Sequence, residues 1–143
     1  MLRSLLHNSE TARRAGLTRS TGNASRESYR SAPEVGASNL VFQAGEGSLD
    51  ELLSRMGDGL LATELSGLHT VDGVSGDFSL EVSGFRVRRG RRGRPVRQTA
   101  IAGNLFTLLA EIEGIGSDLR FLYDSCFIGA PSILVRSLAV SSD

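Results

Sequence analysis

The chain has 143 residues, 40% hydrophobic and 22% charged, with sixteen basic and sixteen acidic residues and a formal net charge of zero. That length is about one domain and can bury a sizeable core, while the balanced charge gives no overall pull toward nucleic acid or an acidic partner. No apolar run approaches the ~18 residues of a membrane-spanning helix, and one cysteine, Cys126, excludes an internal disulfide and fits a reducing cytoplasm best.

Leu2 to His7 is compatible with a short strand, although its apolar positions are few. Ser9 to Gly36 is rich in Ser, Arg, Gly and Asn without periodicity and reads as an exposed loop, with a turn at Gly22-Asn23. Asn39 to Ala44 predicts a strand with Leu40 and Phe42 on one face. Ser48-Leu-Asp-Glu51 is a capping box, and Leu49, Leu52, Leu53 and Met56 follow at helical spacing until Gly57 and Gly59 stop the helix. Leu60 to Leu65 is apolar on both sides and predicts a buried strand.

A turn of Asp72, Gly73, Ser75, Gly76 and Asp77 opens the next strand, where Phe78, Leu80 and Val82 alternate at period two. The apolar phase then moves to Phe85 and Val87, which predicts a β-bulge at Ser83-Gly84. Phe78–Arg88 is expected to pair with Pro95–Ile101 through the connection 89–94. Asn104 serves as an N-cap for a second amphipathic helix through Leu105, Leu108, Leu109 and Ile112, closed by Gly114. A last strand is expected near Ile133 to Val140, introduced by Pro131. The elements define an α+β, β-dominated fold: a β-sandwich or barrel-like antiparallel sheet with two short amphipathic helices, in one domain over 1–143.

Chemistry-bearing residues are sparse. His7, His69 and Cys126 have no spacing that places three ligands on one metal, and neither histidine has a glutamate next to it. Cys126 reads more simply as a small buried hydrophobe. Asp72 and Asp77 lack the alternating acids and closing glutamate of a calcium loop and read as turn residues. No nucleophile elbow, Walker loop or dinucleotide fingerprint is present. All sixteen cations are arginine, which is read first as coding bias, yet seven of them fall between Arg86 and Arg97. Arg88, Arg89, Arg91, Arg92 and Arg94 are candidate phosphate contacts, because each guanidinium can fork onto phosphate oxygens. A solvated tip, or an edge protected by charge, is the simpler reading, since aromatic rings for base stacking are missing beyond Phe85.

The blocks Gly59-Leu-Leu-Ala-Thr-Glu-Leu-Ser-Gly67, Val74-Ser-Gly-Asp-Phe-Ser79, Ser83-Gly-Phe85, Ile101-Ala-Gly-Asn-Leu105 and Gly129-Ala-Pro-Ser-Ile-Leu-Val135 stand in the order and at about the spacing of the C-terminal part of the TldD/PmbA proteins. The chain resembles that metallopeptidase-related family, its PmbA (TldE) branch above all. The resemblance implies a β-sandwich-like C-terminal domain, with the family's large N-terminal α/β region absent from this chain. It reaches back through Ser20-Thr-Gly-Asn-Ala24, so the Arg- and Ser-rich first thirty residues are read as domain rather than as an organellar leader. The H-E-x-x-x-H helix and the Cys-Gly-Lys block of the TldD branch have no match here, and the arginine run replaces a short turn. The resemblance therefore implies a cytoplasmic, non-catalytic subunit or fragment with no catalytic, cofactor or metal residue of its own. Zinc is expected only in a TldD-type partner, and the two together process peptides. His69, Asp77 and Asn104 are the candidate contacts to peptide or partner. Neither a membrane nor nucleic acid is expected as a partner; the alternative function is a nucleic-acid-binding module acting through the Arg86–Arg97 hairpin.

Overall fold

In the computed structural model, residues 5–37, 39–123 and 127–141 are described. Helix α1 (Ser9–Arg14) interrupts the segment expected to be loop. The reason is local: Asn8 accepts from the Thr11 amide while the Thr11 hydroxyl receives the Asn8 amide, a reciprocal N-terminal cap that asparagine and threonine form without a glutamate. The buried Asn8 side chain also donates to Pro33 O. A two-residue ribbon follows, β1 (Ala24–Ser25) with β2 (Glu34–Val35), and then β3 (Asn39–Val41), shorter than expected. The strand expected over 2–7 begins outside the described residues, and Leu5–His7 adopt no strand.

Helix α2 (Leu49–Met56) carries the capping box as read: Glu51 accepts from the Ser48 amide and the Ser48 hydroxyl accepts from the Glu51 amide. Its Leu52 and Leu53 are buried. Strand β4 (Gly59–Ser66) forms where a buried strand was expected, but it is the outer strand of a four-stranded sheet and most of it is exposed. Apolar residues on both faces identified a strand correctly and its burial wrongly. A short 3-10 turn, Leu68–Thr70, leads through the 72–77 turn to β5 (Asp77–Arg88) and β6 (Arg91–Asn104).

The hairpin is tighter than the sequence suggested. Its connection is Arg89-Gly90 alone, both at positive φ (50° and 73°), the two-residue turn whose twist matches that of paired strands. Residues 91–94, expected in the loop, belong to β6. Register slips at the Ser83–Gly84 step as expected, yet the extra residues lie in the neighbours: Thr63 on β4, and Arg97-Gln98 on β6. Gly84 is required there because a Cβ would overlap the Leu61 carbonyl oxygen of β4. Phe78, Leu80, Val82 and Ile101 form the core of this sheet, with Leu60, Val71, Leu108 and Leu138 packed against them. Beyond the slip the other face is covered, and Val87 is 1% exposed.

Helix α3 (Leu105–Ala110) is capped by Asn104 but ends at Glu111, and β7 (Ile112–Ile115) begins where the helix was expected to continue. Gly114 is therefore no helix stop; it lies in β7, facing Leu134. The sequence reading left β8 (Arg120–Tyr123) and β9 (Phe127–Ala130) unassigned. The single expected last strand is two, β10 (Ile133–Val135) on β7 and β11 (Ala139–Ser141) on β6. The sheets are β1-β2, β10-β7, β11-β6-β5-β4 and β3-β9-β8, with β3 and β9 parallel. The fold is α+β and β-dominated; no sheet closes into a barrel among the described residues. Two compact units result, Met1–Phe42 with Phe121–Gly129, and Gln43–Arg120 with Ala130–Asp143. No helix among the described residues is long and apolar enough to cross a membrane.

Candidate functional site

Three surfaces carry the candidate residues. The first is the turn that opens β5. Asp72 Oδ1 accepts from the amides of Val74 and Ser75, both at 2.7 Å, which makes it the turn residue expected and holds its carboxyl below the usual aspartate range. Asn104 closes the same turn from β6: its Nδ2 donates to Ser75 O and to Asp77 Oδ1, each at 2.8 Å. Its Oδ1 accepts from Phe106 and Thr107 at the start of α3. Asp77 and Asn104 are thus brought together, and both are engaged inside the chain, fastening the β5 entry to the α3 cap. His69 stands apart from them on the exposed turn Leu68–Thr70 that follows the free edge strand. Its ring has no hydrogen-bond partner among the described residues.

The second surface is the arginine hairpin. All seven arginines from Arg86 to Arg97 are exposed. Arg88 and Arg91 are directly paired across the strands, and Arg86 lies two residues before Arg88 on the same face. The tip is fixed to the end of α2: Gly90 donates to Gly57 O at 2.7 Å, and the Arg89 amide donates to Asp58 Oδ1 at 2.8 Å. Arg86, Arg88 and Arg89 rim a shallow depression with Asp58, Gly59 and Val87. Among the described residues the ion pairs are Arg14–Glu10 and Arg136–Glu113, so none involves this cluster.

The third is the open edge β4. Leu65 is 44% exposed and Leu61 half-buried, on a strand paired only on its β5 side among the described residues. A pair that the sequence reading missed lies elsewhere: Asp118 accepts from the Ser132 amide at 2.9 Å and from its hydroxyl at 2.7 Å. These bonds and the nearby Arg120 charge lower its pKa. Fourteen residues separate the two with no motif, so only the fold could reveal them.

Zinc, the metal that the resemblance brings into question, does not fit the side chains described. His7 Nδ1 is 3.3 Å from the Thr11 hydroxyl within the α1 cap. Cys126, expected to be a buried small hydrophobe, lies outside the described residues. No three of His, Cys, Asp and Glu converge among those that are described.

A sheet with a glycine-dependent close approach of β4 to β5, and a turn fastened by Asn104, fall on the blocks from which the resemblance was read. Residues 1–142 match the family model described as the PmbA/TldA metallopeptidase C-terminal domain. The chain belongs to that family. A Methanothermobacter thermautotrophicus protein named "Metalloprotease" is 33% identical over 136 residues, which are 94% of this chain and 29% of that protein. The Escherichia coli O157:H7 protein named "Metalloprotease PmbA" is 40% identical over 78 residues, 54% of this chain and 17% of that one. A crystal structure from Thermotoga maritima, of a protein named as a candidate modulator of a DNA gyrase, superposes with a TM-score of 0.79 at 36% identity, covering 98% of this chain and 31% of that one. TldE from Thermococcus kodakarensis shares the fold with a TM-score of 0.84 at 20% identity, over 98% and 31%. The chain therefore spans less than a third of the length of each of these relatives.

Proposed function

We propose that this C-terminal domain serves a PmbA (TldE)-type subunit that supports peptide processing without catalysing it, beside a zinc-bearing TldD-type metallopeptidase partner. The observation that carries the reading is where the family blocks fall: on the edge strand β4, the 72–77 turn, the β5 slip, the β6–α3 junction and β9–β10. Four of these five belong to the sheet whose open edge is β4; the fifth lies in β9 and β10, on other sheets. An open edge offers an extended peptide or a partner strand a row of main-chain hydrogen-bonding groups, with affinity from the backbone and selectivity from alternate side chains. His69, at the end of that edge, is the side chain best placed to touch what lies there, while Asp77 and Asn104 keep the adjoining turn rigid. The lone cysteine fits residence in a reducing cytoplasm.

The reading is tested with the purified chain alone and with a TldD-type subunit added. The chain alone is expected to carry no stoichiometric zinc by elemental analysis and to cleave no peptide; the mixture cleaves, and His69→Ala weakens the mixture. Stoichiometric zinc in the chain alone, or cleavage by it, overturns the reading.

A further inference from the structure

The seven arginines between Arg86 and Arg97 stand in twelve residues that contain no acid, leaving nine arginines against sixteen acidic residues in the rest of the chain. Net neutrality thus hides a strong segregation of charge. Two ordinary explanations were open at the level of sequence, and the fold limits both. Protection of a sheet edge suits Arg91 to Arg97, because β11 covers β6 only at 100–102. It does not suit Arg86, which lies inside β5: Leu60 of β4 is its partner on one side, and on the other the β6 ladder runs past it from Phe85–Pro95 to Val87–Arg92, while Arg88 is paired to Arg91 of β6 alone. A loose solvated tip is excluded by the two bonds that fasten Arg89 and Gly90 to the end of α2.

What remains is a rigid array. Arg88 faces Arg91 directly, and like charges so placed destabilise a hairpin. Arg89 takes a left-handed φ of 50° that asparagine or glycine would adopt at less cost. The cluster is held in place at the expense of the fold: among the described residues none of its guanidinium groups is in an ion pair, and the Asp58 carboxylate beside it accepts from the Arg89 amide. Residues two apart on one strand face are about 7 Å from each other, so Arg86, Arg88 and Arg91 present neighbouring forks to a repeating anion.

We propose that the β5–β6 hairpin binds the phosphate backbone of nucleic acid, through Arg86, Arg88 and Arg91, without reading bases. Base-independence follows from the hairpin itself: no aromatic residue stands between Arg86 and Arg97, and Phe85 beside them is half-buried. Insertion into a lipid surface has no apolar wedge at the tip, where Val87 is buried. This activity is separate from peptide processing and stands or falls independently of it.

The test is fluorescence anisotropy of the whole chain on a labelled 30-base-pair DNA duplex across salt concentrations, with polyglutamate as competitor. The expected log–log salt slope is about −0.9 per phosphate neutralised, hence near −3 or steeper. The triple variant Arg86→Gln/Arg88→Gln/Arg91→Gln should lose about three slope units and bind about tenfold or more weakly at low salt, while still folding by its thermal melt. Arg14→Gln/Arg136→Gln, which removes two arginines already in ion pairs, should keep the slope. No binding at ~50 mM salt, or an unchanged slope in the triple variant, overturns the proposal. Competition by polyglutamate as effective as by unlabelled DNA overturns it in favour of an acidic protein surface.

Discussion

Replacing Gly84 by alanine isolates the contact on which the β4 edge depends. The glycine has no positive φ, so alanine is conformationally permitted and only space opposes it. That space is taken by backbone: besides the Leu61 carbonyl oxygen, a Cβ would sit 2.9 Å from Leu61 C and 3.1 Å from Ala62 Cα. No rotamer can yield, so β4 must move off β5 around the Ala62–Gly84 pair. Overpacking of this kind costs about 1–3 kcal/mol, and each ladder bond lost adds about 1 kcal/mol. Restricting the unfolded chain returns only about 0.4–1 kcal/mol. The net loss is about 1–3 kcal/mol, or about 4–10 °C in Tm for a domain of this size. Thermal melting followed by circular dichroism reads the total, and hydrogen exchange over residues 59–66 reads where the loss falls. Gly73→Ala is the internal control, since nothing lies within 4 Å of its Cβ position. If Gly84→Ala melts with the wild type and β4 exchange is unchanged, the close-approach argument is wrong.

Asn104→Ala should lower Tm by removing the α3 cap together with the tie to Ser75 and Asp77, at about 1–2 kcal/mol, and should quicken hydrogen exchange over both 72–77 and 105–110. Arg89→Gly keeps the amide that donates to Asp58 and relieves the left-handed backbone, so a rise in melting temperature worth about 1 kcal/mol is expected. Three carboxyls are held low: Glu51 by the Ser48 amide, Asp72 by the Ser75 and Val74 amides, and Asp118 by Ser132. Such groups stabilise fully above the ordinary carboxylate pKa of about 4, and that stability is lost as pH falls through their depressed folded values. Melting curves from pH 7 downward should therefore stay level to about pH 5 and then fall, with Asp118→Asn giving a shallower fall.

The elements whose cause is local were legible in the sequence. Ser48 and Glu51 specify the start of α2 by themselves, and alternation from Phe78 to Val82 specifies β5. The Ser83–Gly84 slip was visible because one glycine and a phase change coincide, although the strand holding the extra residue is decided only by which neighbours pair. What failed depended on partners distant in sequence. Leu60 to Leu65 has the composition of a buried strand, but exposure is set by its place at the sheet's edge. Ile112 continues the helical spacing of α3, yet pairing with Val135 draws it into β7. Asn8 and Thr11 form a cap from residue types that favour loops equally well. At the candidate surfaces, the arginine run was plain in the sequence, whereas its fastening to α2 and the facing of Arg88 by Arg91 were not.

The parallel pairing of Asn39 with Phe127 has a consequence for how the chain folds. Bringing those positions together across a flexible intervening chain costs about 4 kcal/mol of closure entropy. The intervening chain need not stay flexible. Gly45 donates to Gly116 O and Ser117 donates to Gly47 O, a close approach that shuts most of that intervening chain into a loop of its own. With those pairs made, the loop left to close between β3 and β9 shrinks from the whole intervening chain to the short stretches outside Gly45 and Ser117, and most of that entropy is already spent.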